Sequence, residues 1–241
     1  MKLSVFNSYK ELSVAACKEI IRLGSERTAP LVCAASGDTP KGLYAELVTT
    51  LRTGKEGVPN WNFIGLDEWV GMNGSDEGSC RHSLDQQLFF PLKIHSDKIR
   101  FFNGRAQELE KECKSADEFI ASNGQIDIAI LGLGMNGHIG FNEPGVDAGL
   151  RSHIITLDET TKKVSQKYFS KSVIFERGIT LGLQSLLESK HLILLVSGSN
   201  KSNILKRVLE GERTNQVPAT FLLEHSNLQV FCDAAAAVRL V

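Results

Sequence analysis

Several things are scarce in these 241 residues. No apolar run approaches the ~18 residues of a membrane-spanning helix, so a span is excluded. The opening Met1-Lys2-Leu3-Ser4-Val5-Phe6-Asn7 lacks a long apolar stretch ending in small residues, so no secretory leader is expected. The five cysteines, Cys17, Cys33, Cys80, Cys113 and Cys232, stand far apart, which excludes a CxxC zinc or redox motif. Three of them lie in apolar runs and read as small core residues. A reducing, cytoplasmic setting is the default expectation. Charge of one sign is also lacking: the net charge is −1 and the pI about 6.6, which argues against a broad basic surface and a nucleic-acid partner. Internal repeats, low-complexity tracts and linkers are absent, so one domain over residues 1–241 is expected.

Apolar residues, by contrast, make up 42% of the chain and charged residues 23%, enough for a sizeable core and too apolar for a disordered chain. The apolar residues are arranged as short runs between amphipathic stretches. Residues 7–24 carry Leu12, Ala15, Ala16, Ile20 and Leu23 near helical spacing, with Gly24 as a stop. Strands are predicted at 31–35, 62–66, 126–131, 154–157, 179–183, 191–197 and 228–232. Helices are predicted at about 40–53, 80–91, 105–122, 159–169, 199–210 and 219–225. Strands alternating with helices, many of them continuously apolar, give an α/β fold. It is read as one three-layer domain, a Rossmann-like, mostly parallel sheet with helices on both faces.

Ligands of such sheets bind at the carboxyl ends of the strands, and four of these junctions are unusual. At Ser36-Gly37-Asp38-Thr39-Pro40-Lys41-Gly42, Thr39 reads as an N-cap and Pro40 as the first helical residue, which makes an anion site; an ordinary capped turn is the alternative. At Leu66-Asp67-Glu68-Trp69, two carboxylates follow a strand, either as a general base of raised pKa or as solvated loop acids. The run from Leu131 to Gly145 holds Gly132-x-Gly134-x-x-Gly137 with Asp158 21 residues further on. It imitates a dinucleotide-binding fingerprint, but Gly140, Pro144, Gly145 and Gly149 interrupt the helix that motif needs. His138 and Glu143 in that loop instead suggest an acid–base site. Finally, Lys201 falls in the first turn of a helix after Ser197-Gly198, where a cation opposes the helix dipole unless an anion is bound; an exposed lysine is the plainer reading.

Together these residues resemble the glucosamine-6-phosphate deaminase/isomerase family. The likeness runs in order through Ser36-Gly37-x-Thr39-Pro40, Leu66-Asp67-Glu68-Trp69-Val70-Gly71 and Asn136-Gly137-His138-Ile139-Gly140-Phe141-Asn142-Glu143-Pro144-Gly145. It continues through Ile179-Thr180-Leu181-Gly182-Leu183, Gly198-x-x-Lys201 and Val217-Pro218-Ala219-Thr220-Phe221-Leu222. Trp69 and Thr220-Phe221-Leu222 lean toward the related galactosamine-6-phosphate isomerases. The resemblance implies a 2-amino-2-deoxyhexose 6-phosphate as the small-molecule substrate, and no metal or organic cofactor. It gives His138 the ring opening, Glu143 the orientation of His138, and Asp67 the transfer of the C2 proton to C1, with ammonia lost. Asn136 joins the catalytic set, although an aspartate stands there in some members. Ser36, Gly37, Thr39, Gly137 and Lys201 would hold substrate and phosphate. Lys167 is a weaker candidate, standing where an arginine is often found.

His153 and Ile155 occupy the stretch where allosteric members carry basic residues, which argues against activation by an acetylated amino sugar phosphate. A homo-oligomer stays open, as does the configuration at C4 of the sugar. Two rival readings are a 6-phosphogluconolactonase, a hydrolase expected to carry Asp-Gly-His-Thr, and a non-catalytic sugar-phosphate sensor. Asn136-Gly137-His138-Ile139 speaks against the first. The first helix, near residue 7, speaks against the second, which needs a DNA-binding segment.

Overall fold

The computed structural model describes residues 1–54, 60–169, 173 and 175–240. In chain order the elements are β1 (Lys2–Phe6), α1 (Tyr9–Gly24), β2 (Leu31–Ala34), α2 (Asp38–Thr53), β3 (Asn62–Gly65) and β4 (Asp67–Trp69). Next come α3 (Cys80–Leu84), a π turn over Asp85–Phe89, α4 (Phe90–Leu92), β5 (Ile99–Arg100), α5 (Leu109–Ser122) and β6 (Ile128–Gly132). The chain continues through β7 (His153–Thr156), α6 (Glu159–Ser165), β8 (Arg177–Thr180), α7 (Leu183–Leu187) and β9 (His191–Val196). It ends with α8 (Ser202–Glu210), β10 (Leu228–Asp233) and α9 (Ala234–Ala237).

Seven strands form one parallel sheet in the order β1-β10-β9-β6-β2-β3-β5. Both of its faces are buried, and the alternation of side chains sorts them into two cores. Leu31, Cys33, Ala129, Leu131, Leu192 and Leu194 face one side, against α5, α7 and α8. Val32, Ala34, Ile128, Ile130, Ile193 and Leu195 face the other, against α1, α2 and α3. This is the expected three-layer α/β arrangement.

A second, smaller sheet stands beside the parallel one. β4, β8 and β7 form a separate antiparallel sheet, with Asp67 opposite Thr180 and His153 opposite Thr180 on the far side. The predicted strand at 179–183 therefore shifts to Arg177–Thr180, because the apolar run continues past the strand into Gly182 and α7. The predicted strand at 154–157 shifts to His153–Thr156, in register with β8. The helix predicted from 105 starts at Leu109, and residues 219–225 form a 3₁₀ helix over Pro218–Glu224.

The chain order sets where a ligand can enter. From β2 the chain builds outward through β3 and β5; from β6 it builds the other way, through β9 and β10. β2 and β6 are neighbours, so their carboxyl ends diverge and leave a crevice, as expected at a point where strand order reverses. Ile130, 1% exposed between Ala34 and Ile193, supports that region from below. Ile130→Ala is expected to cost about 2–5 kcal/mol in chemical denaturation, the range for a buried isoleucine truncated where its neighbours cannot collapse. A cost within about 0.5 kcal/mol, as at a surface position, would contradict the packing described.

Candidate active site

A cleft of about 330 Å³ opens at the crevice between β2 and β6. Of the residues singled out from sequence, Ser36, Gly37, Thr39, Asp67, His138, Lys167 and Lys201 line it. Asn136, Gly137 and Glu143 do not.

Asp67 reaches the cleft because the chain leaves the main sheet just before it. The Leu66 amide donates to Ala34 O at 3.1 Å, while the Leu66 carbonyl accepts from the Leu181 amide at 2.9 Å. The next residue is therefore carried from one sheet to the other across the top of the crevice. Asp67 is 8% exposed. Burial raises its carboxyl to about 7, and the negative charges of Glu68 and Glu143 push the same way against the Cys80 thiol and His138.

Glu68 points away from this chemistry. It is fully buried and accepts from the Trp69, Cys80 and Arg81 amides and the Ser79 hydroxyl at 2.6–3.1 Å. Its carboxylate thus ties β4 to the first turn of α3, whose Cys80 lies against Asp67 in the cleft. The two acids read from sequence as one rim pair have separate surroundings: one is open to the cleft, and the other is consumed by four donors.

The loop after β6 supplies the histidine. It forms no helix between Gly132 and Ser152, which agrees with rejecting the dinucleotide-binding reading. The loop is fastened to β8: the Phe141 amide donates to Thr180 Oγ1, and the Asn142 amide group donates to Leu181 O. His138 folds back over Gly134, where a Cβ would lie 2.3 Å from the imidazole, so a larger residue there would displace the ring.

Behind the ring, Glu143 is 2% exposed, and its Oε2 stands 3.3 Å from His138 Nδ1. Thr161 Oγ1 lies 3.0 Å from the same nitrogen. The Asn136 side-chain amide donates to Glu143 at 2.9 Å and to Asp158 at 3.1 Å, while its oxygen accepts from the His138 amide. Burial pushes the Glu143 carboxyl up, but the bonds from His138, Thr161 and Asn136 outweigh it and leave the carboxyl below its ordinary value. A carboxylate beside Nδ1 fixes the proton on that nitrogen and leaves Nε2 as the exchanging site.

Gly137 packs against Val217, and its carbonyl accepts from the Ala219 amide. Asp158, which mimicked a ribose-binding acid, caps α6 through the Thr160 amide at 2.8 Å.

The other end of the cleft is basic. Helix α2 starts at Asp38, two residues earlier than the capping pattern implied. Gly37, at φ +113°, is its N-cap, and Thr39 lies inside the first turn rather than at the cap. A left-handed φ is what brings that turn of backbone amides toward the strand ends, and glycine adopts it without strain. Lys201 closes a 3₁₀ turn over Ser199–Lys201 and precedes α8; it is not the exposed lysine of the plainer reading. Its ammonium donates to Leu133 O at 2.7 Å, and it is lowered to about 8 by burial and then by the positive charge of Lys167.

Sequence reading missed Trp69 and Tyr168 in the cleft wall, Cys80 beside Asp67, and Thr161 at the imidazole. Only Trp69 lay within a motif already singled out. Among the described residues, no three His, Cys, Asp or Glu side chains are grouped to hold a metal ion, and no helix is long and apolar enough to cross a membrane.

A family model described as glucosamine-6-phosphate isomerases/6-phosphogluconolactonase matches residues 7–231. The chain belongs to this family. Within it, the chain is 35% identical to a glucosamine-6-phosphate deaminase of Oceanobacillus iheyensis over 98% of its own length and 95% of that protein's. It is equally similar to glucosamine-6-phosphate deaminase 1 of Bacillus subtilis, covering 98% of each. The solved structure of a monomeric glucosamine-6-phosphate deaminase superposes with a TM-score of 0.95 at 33% identity, covering 99% of both chains. A 6-phosphogluconolactonase from Trypanosoma brucei shares the fold, with a TM-score of 0.77 at 20% identity over 100% of this chain and 98% of that one.

The raised Asp67 carboxyl has a consequence for stability. The folded chain keeps a proton on Asp67 up to about pH 7, whereas the unfolded chain releases it near the ordinary 3.8. The folded state thus binds more protons across that window, and this group lowers stability as pH rises through it. Asp67→Asn is expected to raise the melting temperature relative to the parent at pH 8 and to leave it little changed at pH 4. A melting temperature lowered at pH 8 would contradict the assigned environment.

Proposed function

We propose that the chain converts glucosamine 6-phosphate to fructose 6-phosphate and ammonia. The observation that carries this reading is the pairing, within one cleft, of a buried carboxylate poised near neutrality with a carboxylate-backed histidine, opposite two lysines and a helix N-terminus. A general base works best when its pKa lies near the working pH, and Asp67 fits that demand. Phosphate fits the other end, where Lys201, Lys167, the Thr39 hydroxyl and the first amides of α2 would face it.

Between the two ends, His138 takes the role of moving a proton between the ring oxygen and the C1 hydroxyl. Glu143 holds the proton on Nδ1 and stabilises the imidazolium that forms. Asn136 is a positioning residue that fixes Glu143 and the start of the loop. Asp67 removes the C2 proton from the open-chain sugar and delivers it to C1. The resulting imine at C2 adds water and releases ammonia, leaving the ketose. The fold neighbours named as lactonases keep lactone hydrolysis as the second reading, favoured only by the shared architecture. The sequence of the Asn136–Gly145 loop and the identity to the deaminases support the first. The galactosamine/tagatose pair is the alternative within the same chemistry, supported by Trp69 in the cleft wall.

Ammonia release should be measured with glucosamine 6-phosphate, with galactosamine 6-phosphate, and alongside hydrolysis of 6-phosphogluconolactone. Turnover is expected with the gluco sugar at saturating concentration and none with the lactone. Turnover confined to the galacto sugar would move the substrate to that epimer. Lactone hydrolysis without ammonia from either sugar would overturn the proposal.

A further inference from the structure

Asp38 is a carboxylate in the middle of a cluster suited to an anion. It opens α2, where the helix dipole favours negative charge. Its Oδ2 takes the Lys167 ammonium from across the cleft at 2.5 Å and lies 3.5 Å from the Tyr168 hydroxyl, while Oδ1 takes Lys41 at 2.9 Å. The Asp38 and Lys167 side chains are both half exposed, so neither is locked by packing. Lys201, the second cation, feels both: Lys167 disfavours its charge and Asp38 favours it. In the free protein, Asp38 thus neutralises part of the charge that an incoming phosphate would use.

We propose that Asp38 competes with the substrate's phosphate for Lys167 and so sets the affinity of the phosphate end. The proposal rests on phosphate binding at Lys167 and Lys201, as argued above. One ammonium cannot serve a carboxylate and a phosphate dianion at close range without bringing like charges together. Binding therefore exchanges the Lys167–Asp38 pair for a Lys167–phosphate pair and turns the Asp38 carboxylate outward to solvent. The exchange weakens the complex relative to a neutral residue at this position. It also lowers the net positive charge of the empty site, so anions of every kind are held less well there.

The test is calorimetric titration of inorganic phosphate and of fructose 6-phosphate into the parent, Asp38→Asn and Asp38→Ser. An exposed ion pair and a like-charge contact of similar size are each worth a few-fold in an equilibrium constant, so both ligands are expected to bind about 3- to 20-fold more tightly to both variants. Removing one negative charge should also steepen the loss of phosphate affinity with added salt. In a Lys167→Ala background the gain from Asp38→Asn should shrink to the few-fold of the like-charge contact alone, because the contested cation is gone. In turnover assays the change should fall on KM more than on kcat. Unchanged or weaker binding in both variants would overturn the proposal and make Asp38 a positioning residue for Lys167. A gain of undiminished size without Lys167 would overturn it as well. If the parent binds neither phosphate nor fructose 6-phosphate, the phosphate reading itself fails and the proposal falls with it.

Discussion

Leu66 is bonded to both sheets through its own backbone, its amide to Ala34 and its carbonyl to Leu181. The cleft depends on that double attachment. It ends the parallel run of β3, turns the chain into the small sheet, and sets Asp67 over the gap between β2 and β6. The Phe141 amide reaches Thr180, whose hydroxyl in turn donates to Leu66 O at 3.3 Å. The loop bearing His138 is therefore fixed to the same point. Base and histidine arrive from distant parts of the chain, yet both are referred to one peptide group.

The charges around that point are arranged unevenly. Glu68 has four donors, which oppose the upward push of its burial, and Glu143 has His138, Thr161 and Asn136, whereas among the described residues Asp67 has only a thiol. A buried carboxylate with few donors holds its proton more tightly than one with many, because nothing replaces the water it has lost. Three acids in one small region thus divide into a structural tie, an orienting partner for histidine, and a group able to exchange a proton near neutrality. At the other end, burial and mutual repulsion lower Lys201, and the charge of an arriving anion would oppose that shift.

Much of the frame was legible in the sequence. The runs 31–35, 126–131 and 191–196 are apolar on both sides of the alternation, as strands covered on two faces must be, and they form the sheet centre. The small sheet was not legible. β4 is three residues long and carries Asp67 and Glu68, and the apolar run at 179–183 belongs half to a strand and half to the start of a helix. β1 escaped notice because it is an edge strand with Leu3 and Val5 partly exposed, so its pattern is too weakly apolar to stand out. In the site, Asp67, His138, Glu143 and Lys201 followed from their positions after strands. The Lys167–Asp38 pair and the Thr161 contact did not, since they join α2 to Lys167 and α6 to the β6 loop, pairings that only the fold decides. Gly137 lies outside the cleft lining, and its carbonyl accepts from the Ala219 amide.

The central claim is that Asp67 is the base that moves the proton between C2 and C1. It is tested most directly by the exchange of the C2 hydrogen of glucosamine 6-phosphate with deuterated water, followed by proton NMR in the parent and in Asp67→Asn. The amide keeps the shape of the side chain but is no base at neutral pH, so exchange should fall by about 10²–10⁴-fold. Interconversion of the anomers, which depends on His138, should persist. Exchange at the parent rate in Asp67→Asn would contradict the account and assign the proton transfer to another group.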